Sequence, residues 1–137
     1  MKIRVTKMKP GAYLPERAHY NDAGADVRTP ERVMLRKGEV TKIPLGIGID
    51  IPDGYAGYLL PKTGLTTKGL ITQMCPIDSG YTGEIHALVL NVSGEFKVMD
   101  PGEKVGQLVI MPCILADFQT EALGKERGTG AFGRTGK

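Results

Sequence analysis

A chain of 137 residues, 41% apolar and 24% charged, has the length and composition of one domain with a real core. A net charge of +3 without a Lys/Arg block argues against a nucleic-acid arm, and no segment is long and apolar enough to cross a membrane. Cys75 and Cys113 lie in apolar surroundings and read as buried thiols, and residues 1–5 lack the apolar core of a signal peptide, so the expected compartment is the cytoplasm.

The 19 glycines and 9 prolines are scattered between apolar runs, which predicts many short strands and no long helix. Residues 2–6 alternate, with Ile3 and Val5 on one face. Residues 18–25 are small and polar, a loop ending in Ala23-Gly24-Ala25-Asp26-Val27. Gly24 lets the backbone bend or approach something closely. Asp26 in such a loop fits either a hydrated metal ion or a turn cap. Residues 32–35, 39–51 (one or two strands) and 55–60 read as strands.

Pro61-Lys62-Thr63-Gly64-Leu65-Thr66-Thr67-Lys68-Gly69 comes next, with ammonium groups, hydroxyls and glycines right after a strand. That composition suits an anion or a solvated loop; residues 63–68 are expected to form one short helix with its N-terminus toward the anion. The spacing is not that of a Walker A loop.

Extended runs over 70–76 and 84–92 flank Pro76-Ile77-Asp78-Ser79-Gly80-Tyr81-Thr82-Gly83-Glu84, which reads as a β-hairpin with a carboxylate at its mouth. Pro76 has no N–H, so the entering strand is expected to lose pairing there and free main-chain groups for a ligand. Asp78 is the candidate for chemistry; a turn Asp bonding its own backbone is the competing reading. Strands are expected over 85–92, 95–99 and 104–115, with Gln107 early in the last, and a final extended piece over 118–123. Residues 127–137 hold four glycines, two arginines and one ring. Such a segment cannot build a core. It is either a disordered basic tail or a strap that lays Phe132 on a nucleobase while Arg127 and Arg134 meet phosphate.

Five stretches, 23–27, 61–65, 76–84, 102–108 and 127–136, occur in an order and spacing that resembles the trimeric dUTP pyrophosphatase (dUTPase) family. The resemblance implies an all-β distorted jelly roll of the β-clip type, spanning residues 1–123. Residues 124–137 are then a tail that crosses to close an active site in a homotrimer. It implies hydrolysis of dUTP to dUMP and pyrophosphate, with Mg²⁺ on the triphosphate, which removes dUTP and supplies dUMP for dTMP synthesis. Asp78 matches the carboxylate that activates water, and Asp26 the one that reaches Mg²⁺ through water. Lys62, Thr63, Gly64 and Gln107 match phosphate contacts; Tyr81 matches the ring under the sugar. The main chain of Pro76 and Ile77 matches the uracil-reading edge, with Thr72 near the base. In the tail, Arg127 matches the γ-phosphate ligand and Phe132 the stacking ring, with Gly133 and Arg134 beside it.

This chain departs from the family pattern in several places. Lys62 stands for Arg, Thr63 for Ser, Ala25 for Tyr, Gly80 for an acid, Thr82 for Arg and Arg134 for Ser. A dCTP deaminase is the rival enzyme, but it needs a proton-shuttling Glu where Leu88 falls. A jelly roll that binds nucleotide or a protein partner without turnover is the other rival. The implied partners are dUTP and two further copies of the chain, with neither nucleic acid nor membrane.

Overall fold

The short alternating runs fold as expected into strands. The computed structural model describes residues 1–124, and these contain eleven strands and one helix of four residues. Residues 39–51 form two strands, β4 (Val40–Pro44) and β5 (Ile47–Asp50). The loop after β6 (Tyr55–Leu60) carries the helix α1 (Thr63–Thr66), shorter than the expected 63–68.

An antiparallel sheet of four strands positions the functional groups. Its order is β2 (Ala25–Arg28), β11 (Lys104–Pro112), β6, β8 (Cys75–Ile77). A second sheet orders β4, β9 (His86–Asn91) and β7 (Leu70–Thr72). Leu35, Ile43, Leu45, Ile47, Ile49, Leu59, Val89 and Val105 fill the space between the strands and are fully buried. Their burial supplies the main drive to fold.

The expected hairpin is wider than the sequence suggests. Its arms β7 and β9 do pair, Leu70 opposite Asn91, and the last bond runs from Gln73 N–H to the Leu88 carbonyl at 2.8 Å. The chain then leaves that sheet and forms β8 against β6. Pairing therefore continues through Pro76, which lies opposite Tyr58. Proline is tolerated because β8 is an edge strand and one side of it needs no donor.

The final extended piece, residues 118–123, joins no sheet among the described residues. Pairing in β11 ends at Pro112, opposite the first residue of β6, short of the expected 115. Phe118 and Leu123 stand more than 90% exposed. Cys75 and Cys113 are half-buried rather than buried.

Strand β11 carries one irregularity. Lys104 pairs with Arg28, but Gly106 pairs with Val27, so one extra residue is inserted at Val105. Residues three apart on a regular strand face opposite sides. The bulge brings Lys104 and Gln107 to the same side. The buried Thr72 hydroxyl donates to the bulged Val105 carbonyl. A Cβ on Gly106 would meet the Leu60 carbonyl at 3.0 Å and Thr72 Cγ2 at 3.3 Å, so only glycine fits there without displacement.

Asn91 is the most heavily bonded buried polar side chain. Its Nδ2 donates to the carbonyls of Leu35 at 2.9 Å and Glu95 at 2.7 Å, and its Oδ1 accepts from Ser93 N–H at 3.0 Å and Ser93 Oγ at 2.6 Å. Replacing it strands buried partners. Asn91→Ala is expected to cost about 2–4 kcal/mol, read from denaturant unfolding at fixed protein concentration. A loss below about 0.5 kcal/mol would show that the network does not hold these strands together.

Candidate active site

Two clefts gather most of the residues singled out from the sequence. The first encloses about 440 Å³ and is lined by Asp26, Lys62, Thr63, Gly64, Lys104 and Gln107, together with the exposed His19, the half-buried Asp22 and the buried Gly24. Asp26 lies on β2, not in a loop as expected, and its side chain is only 8% exposed. It neither caps a turn nor stands free. The Lys62 ammonium donates to one carboxylate oxygen, and Lys104 Nζ lies 2.9 Å from the other. Burial pushes the Asp26 carboxyl up, but the hydrogen bonds and charges of Lys62 and Lys104 outweigh it and hold the group below its ordinary value.

Gln107 Nε2 donates to the Pro61 carbonyl at 2.9 Å and ties the Lys62 loop to β11. Its side chain passes against Gly24, where a Cβ would sit 2.2 Å from Oε1. That is the close approach the glycine allows. Helix α1 is a single turn, so its dipole adds little and the positive charge here comes from the lysines. Leu65 and Thr66 N–H both donate to the Lys62 carbonyl at 3.0 Å, so only Thr63 and Gly64 N–H precede the first bonds of that turn.

The second cleft encloses about 300 Å³ and is lined by Pro76, Ile77, Asp78, Tyr81, Glu84 and His86, among others. Asp78 follows β8 and is exposed. Its carbonyl accepts from Tyr81 N–H at 3.2 Å and makes the turn, while among the described residues its carboxylate bonds no backbone group. The turn-Asp reading is therefore incorrect for the side chain. Among the described residues no cation pairs with the Asp78 carboxylate, in contrast to Asp26. The Tyr81 hydroxyl donates to the Glu84 carbonyl at 2.9 Å and fixes the ring beside Asp78. Glu84 in turn accepts from Gly46 N–H at 3.0 Å and lies 3.3 Å from Lys9 Nζ, which anchors the loop to the core.

Thr72 belongs to neither cleft. It is 1% exposed and its hydroxyl is engaged at the bulge, so it does not face a ligand as expected. Arg127, Phe132, Gly133 and Arg134 lie outside the described residues. Among the described residues no three His, Cys, Asp or Glu side chains converge as metal ligands, and both Asp26 oxygens already face ammonium groups. This donor set does not suit a resident divalent cation.

The dUTPase family profile matches residues 11–136. The chain belongs to the dUTPase family. The deoxyuridine 5'-triphosphate nucleotidohydrolase of Thermobifida fusca is 38% identical over 99% of this chain and 79% of its own. That of Leifsonia xyli subsp. xyli is 40% identical over 90% and 85%. The Staphylococcus bacteriophage 80alpha dUTPase with dUpNHpp superposes with a TM-score of 0.89 at 26% identity, covering 99% of both chains. A point mutant of the dUTPase from phage phi11 of S. aureus, whose structure reveals the coordination of a structural Mg(II) ion, superposes with a TM-score of 0.82 at 26% identity, over 91% of this chain and 99% of that one.

Within this dUTPase fold, the cleft residue that sequence patterns miss is Lys104. Periodicity marks it only as the start of a strand. The signal lies in Val105-Gly106, a glycine inside a strand pattern, which marks a bulge able to re-aim its neighbours. His19 and Asp22, which no motif singles out, meet at the cleft mouth, where Asp22 Oδ2 accepts from His19 N–H at 2.9 Å.

The lowered carboxyl of Asp26 contributes stability above its ordinary value of 3.8 and loses it as pH falls below 3.8 toward the folded value. Asp26→Asn is expected to reduce stability at neutral pH and to flatten the decline below about pH 4. Unfolding curves for both proteins in chelator-containing buffer check this. Parallel acid limbs would remove Asp26 from the acid response.

Proposed function

We propose that this dUTP diphosphatase splits dUTP into dUMP and pyrophosphate at sites shared between copies of the chain, in a homotrimer. The supporting observation is the distance between the two halves of the chemistry. Asp26 lies on one edge strand of the four-stranded sheet, and Asp78 follows the other. Three strand spacings, roughly 14 Å along the sheet, lie between them. A general base must come within hydrogen-bond reach of the water it deprotonates, about 3 Å. Phosphates held by Lys62, Thr63, Gly64 and Gln107 are thus out of range of the same chain's Asp78. A neighbour's Asp78 closes the gap.

In this reading Asp78 accepts a proton as water attacks phosphorus. It is suited to the task because no cation neutralises it among the described residues. Tyr81, fixed by Glu84, packs under the deoxyribose, and the main chain at Pro76 and Ile77 reads the uracil edge. Mg²⁺ arrives on the triphosphate as part of the substrate, and Asp26 would meet it only through water. Arg127, Phe132, Gly133 and Arg134 serve as the closing strap contributed by one copy.

This division of labour is open to two tests. Asp78→Asn is expected to lower kcat about 10³-fold while an imido analogue of dUTP still binds; a near-native rate would take Asp78 out of the proton transfer. Co-refolding inactive Asp78→Asn subunits with inactive Lys62→Ala subunits is expected to restore pyrophosphate release. Mixed sites then pair an intact Asp78 with an intact Lys62. If the mixture stays as inactive as its parents, the sites lie within single chains.

A further inference from the structure

We propose that Lys104 is a second cationic ligand of the triphosphate, held on Asp26 until substrate takes it over. This inference rests on the reading that the cleft around Lys62 and Gln107 receives phosphate. The bulge in β11 carries the idea. Without the extra residue, Lys104 and Gln107 would face opposite sides of the sheet. With it, both enter one cleft. The distortion is secured by the buried Thr72 hydroxyl on the Val105 carbonyl and by a glycine that leaves no room for a Cβ.

The ammonium groups of Lys62 and Lys104 then stand on the two oxygens of the same carboxylate. Lys62 donates a hydrogen bond to one oxygen, and Lys104 lies in ion-pair range of the other. Their side chains are 27% and 39% exposed, so each is reachable from the cleft, whereas Asp26 is 8% exposed. A counter-ion serving Asp26 alone would not need that opening. Two positive charges meet one buried negative charge. The other acid at the mouth, Asp22, is turned to His19, with its Oδ2 at 2.9 Å from the backbone N–H and 3.3 Å from Nδ1. A polyphosphate brings more negative charge than Asp26 and can take over both ammonium groups. Asp26 keeps the two long side chains ordered beforehand, which lowers the entropy lost on binding.

The test uses the full-length protein. Acetylation of lysines by acetic anhydride, read residue by residue by mass spectrometry, is compared without ligand, with tripolyphosphate and with dUMP. Lys104 is expected to be protected with Lys62 by tripolyphosphate and far less by dUMP. In parallel, Lys104→Gln is expected to weaken competitive inhibition by pyrophosphate about tenfold, with Lys104→Arg restoring most of it. Lys104 labelled at an unchanged rate in the presence of tripolyphosphate, or Lys104→Gln inhibited by pyrophosphate within about twofold of the parent, would overturn the assignment. The wild-type labelling stands even if Lys104→Gln fails to fold. An unmodified protein that releases no pyrophosphate from dUTP would instead defeat the underlying reading.

Discussion

A carboxylate taken out of water must be matched by charge and hydrogen bonds, and Asp26 is such a group. Its partners are remote in sequence: Lys62 follows β6 and Lys104 opens β11. They meet because β11 lies between β2 and β6, with Gln107 opposite Asp26 on one side and Leu60 on the other. Register is therefore the controlling variable. A one-residue slip of β2 against β11 would turn Asp26 to the other face and leave two ammonium groups facing each other. The bulge, the Thr72 hydroxyl, Gly24 and Gly106 all serve that alignment.

The strands are legible from the alternation of apolar residues, and β6 matches its expected span to the residue. What fails depends on the partner of a segment rather than on its own letters. Pro76 predicts lost pairing only if both sides of its strand are paired, and edge position removes the conflict. Residues 118–123 read as extended, but among the described residues no strand receives them. Asp26 sits after a glycine that usually marks a loop, yet Gly24 is required by the side chain of Gln107, far along the chain. Thr72 aligns near the base, although its hydroxyl is needed at a distortion that periodicity cannot locate. Asp78 and Tyr81 are legible as turn residues, because the Asp78 carbonyl accepts from the Tyr81 N–H and closes the turn there.

The two carboxylates show how one sheet supports opposite electrostatic roles. Asp26 faces the cation-rich cleft and stays ionised under the pull of two lysines, which makes it a poor proton acceptor. Asp78 stands exposed at the far edge, beside a tyrosine already bonded elsewhere. Among the described residues no cation pairs with the second. The two lie at opposite edges of the four-stranded sheet, which keeps the lysines on Asp26 away from Asp78. On the proposed assembly, phosphate binding and proton abstraction are kept apart on one sheet and meet only between copies of the chain.

The substitution at position 62 fits this arrangement. An arginine offers a planar fork that grips phosphate by two parallel bonds, whereas lysine is a point charge on a flexible stem. A lone lysine would bind phosphate without fixing its orientation. Two ammonium groups on separate segments define a line, and the rigid register between β2 and β11 keeps that line constant. Asp26 is then more than a counter-ion. On the proposed assignment it supplies the spacing between the two charges that a guanidinium supplies through its own covalent frame, so the fork is rebuilt from the sheet.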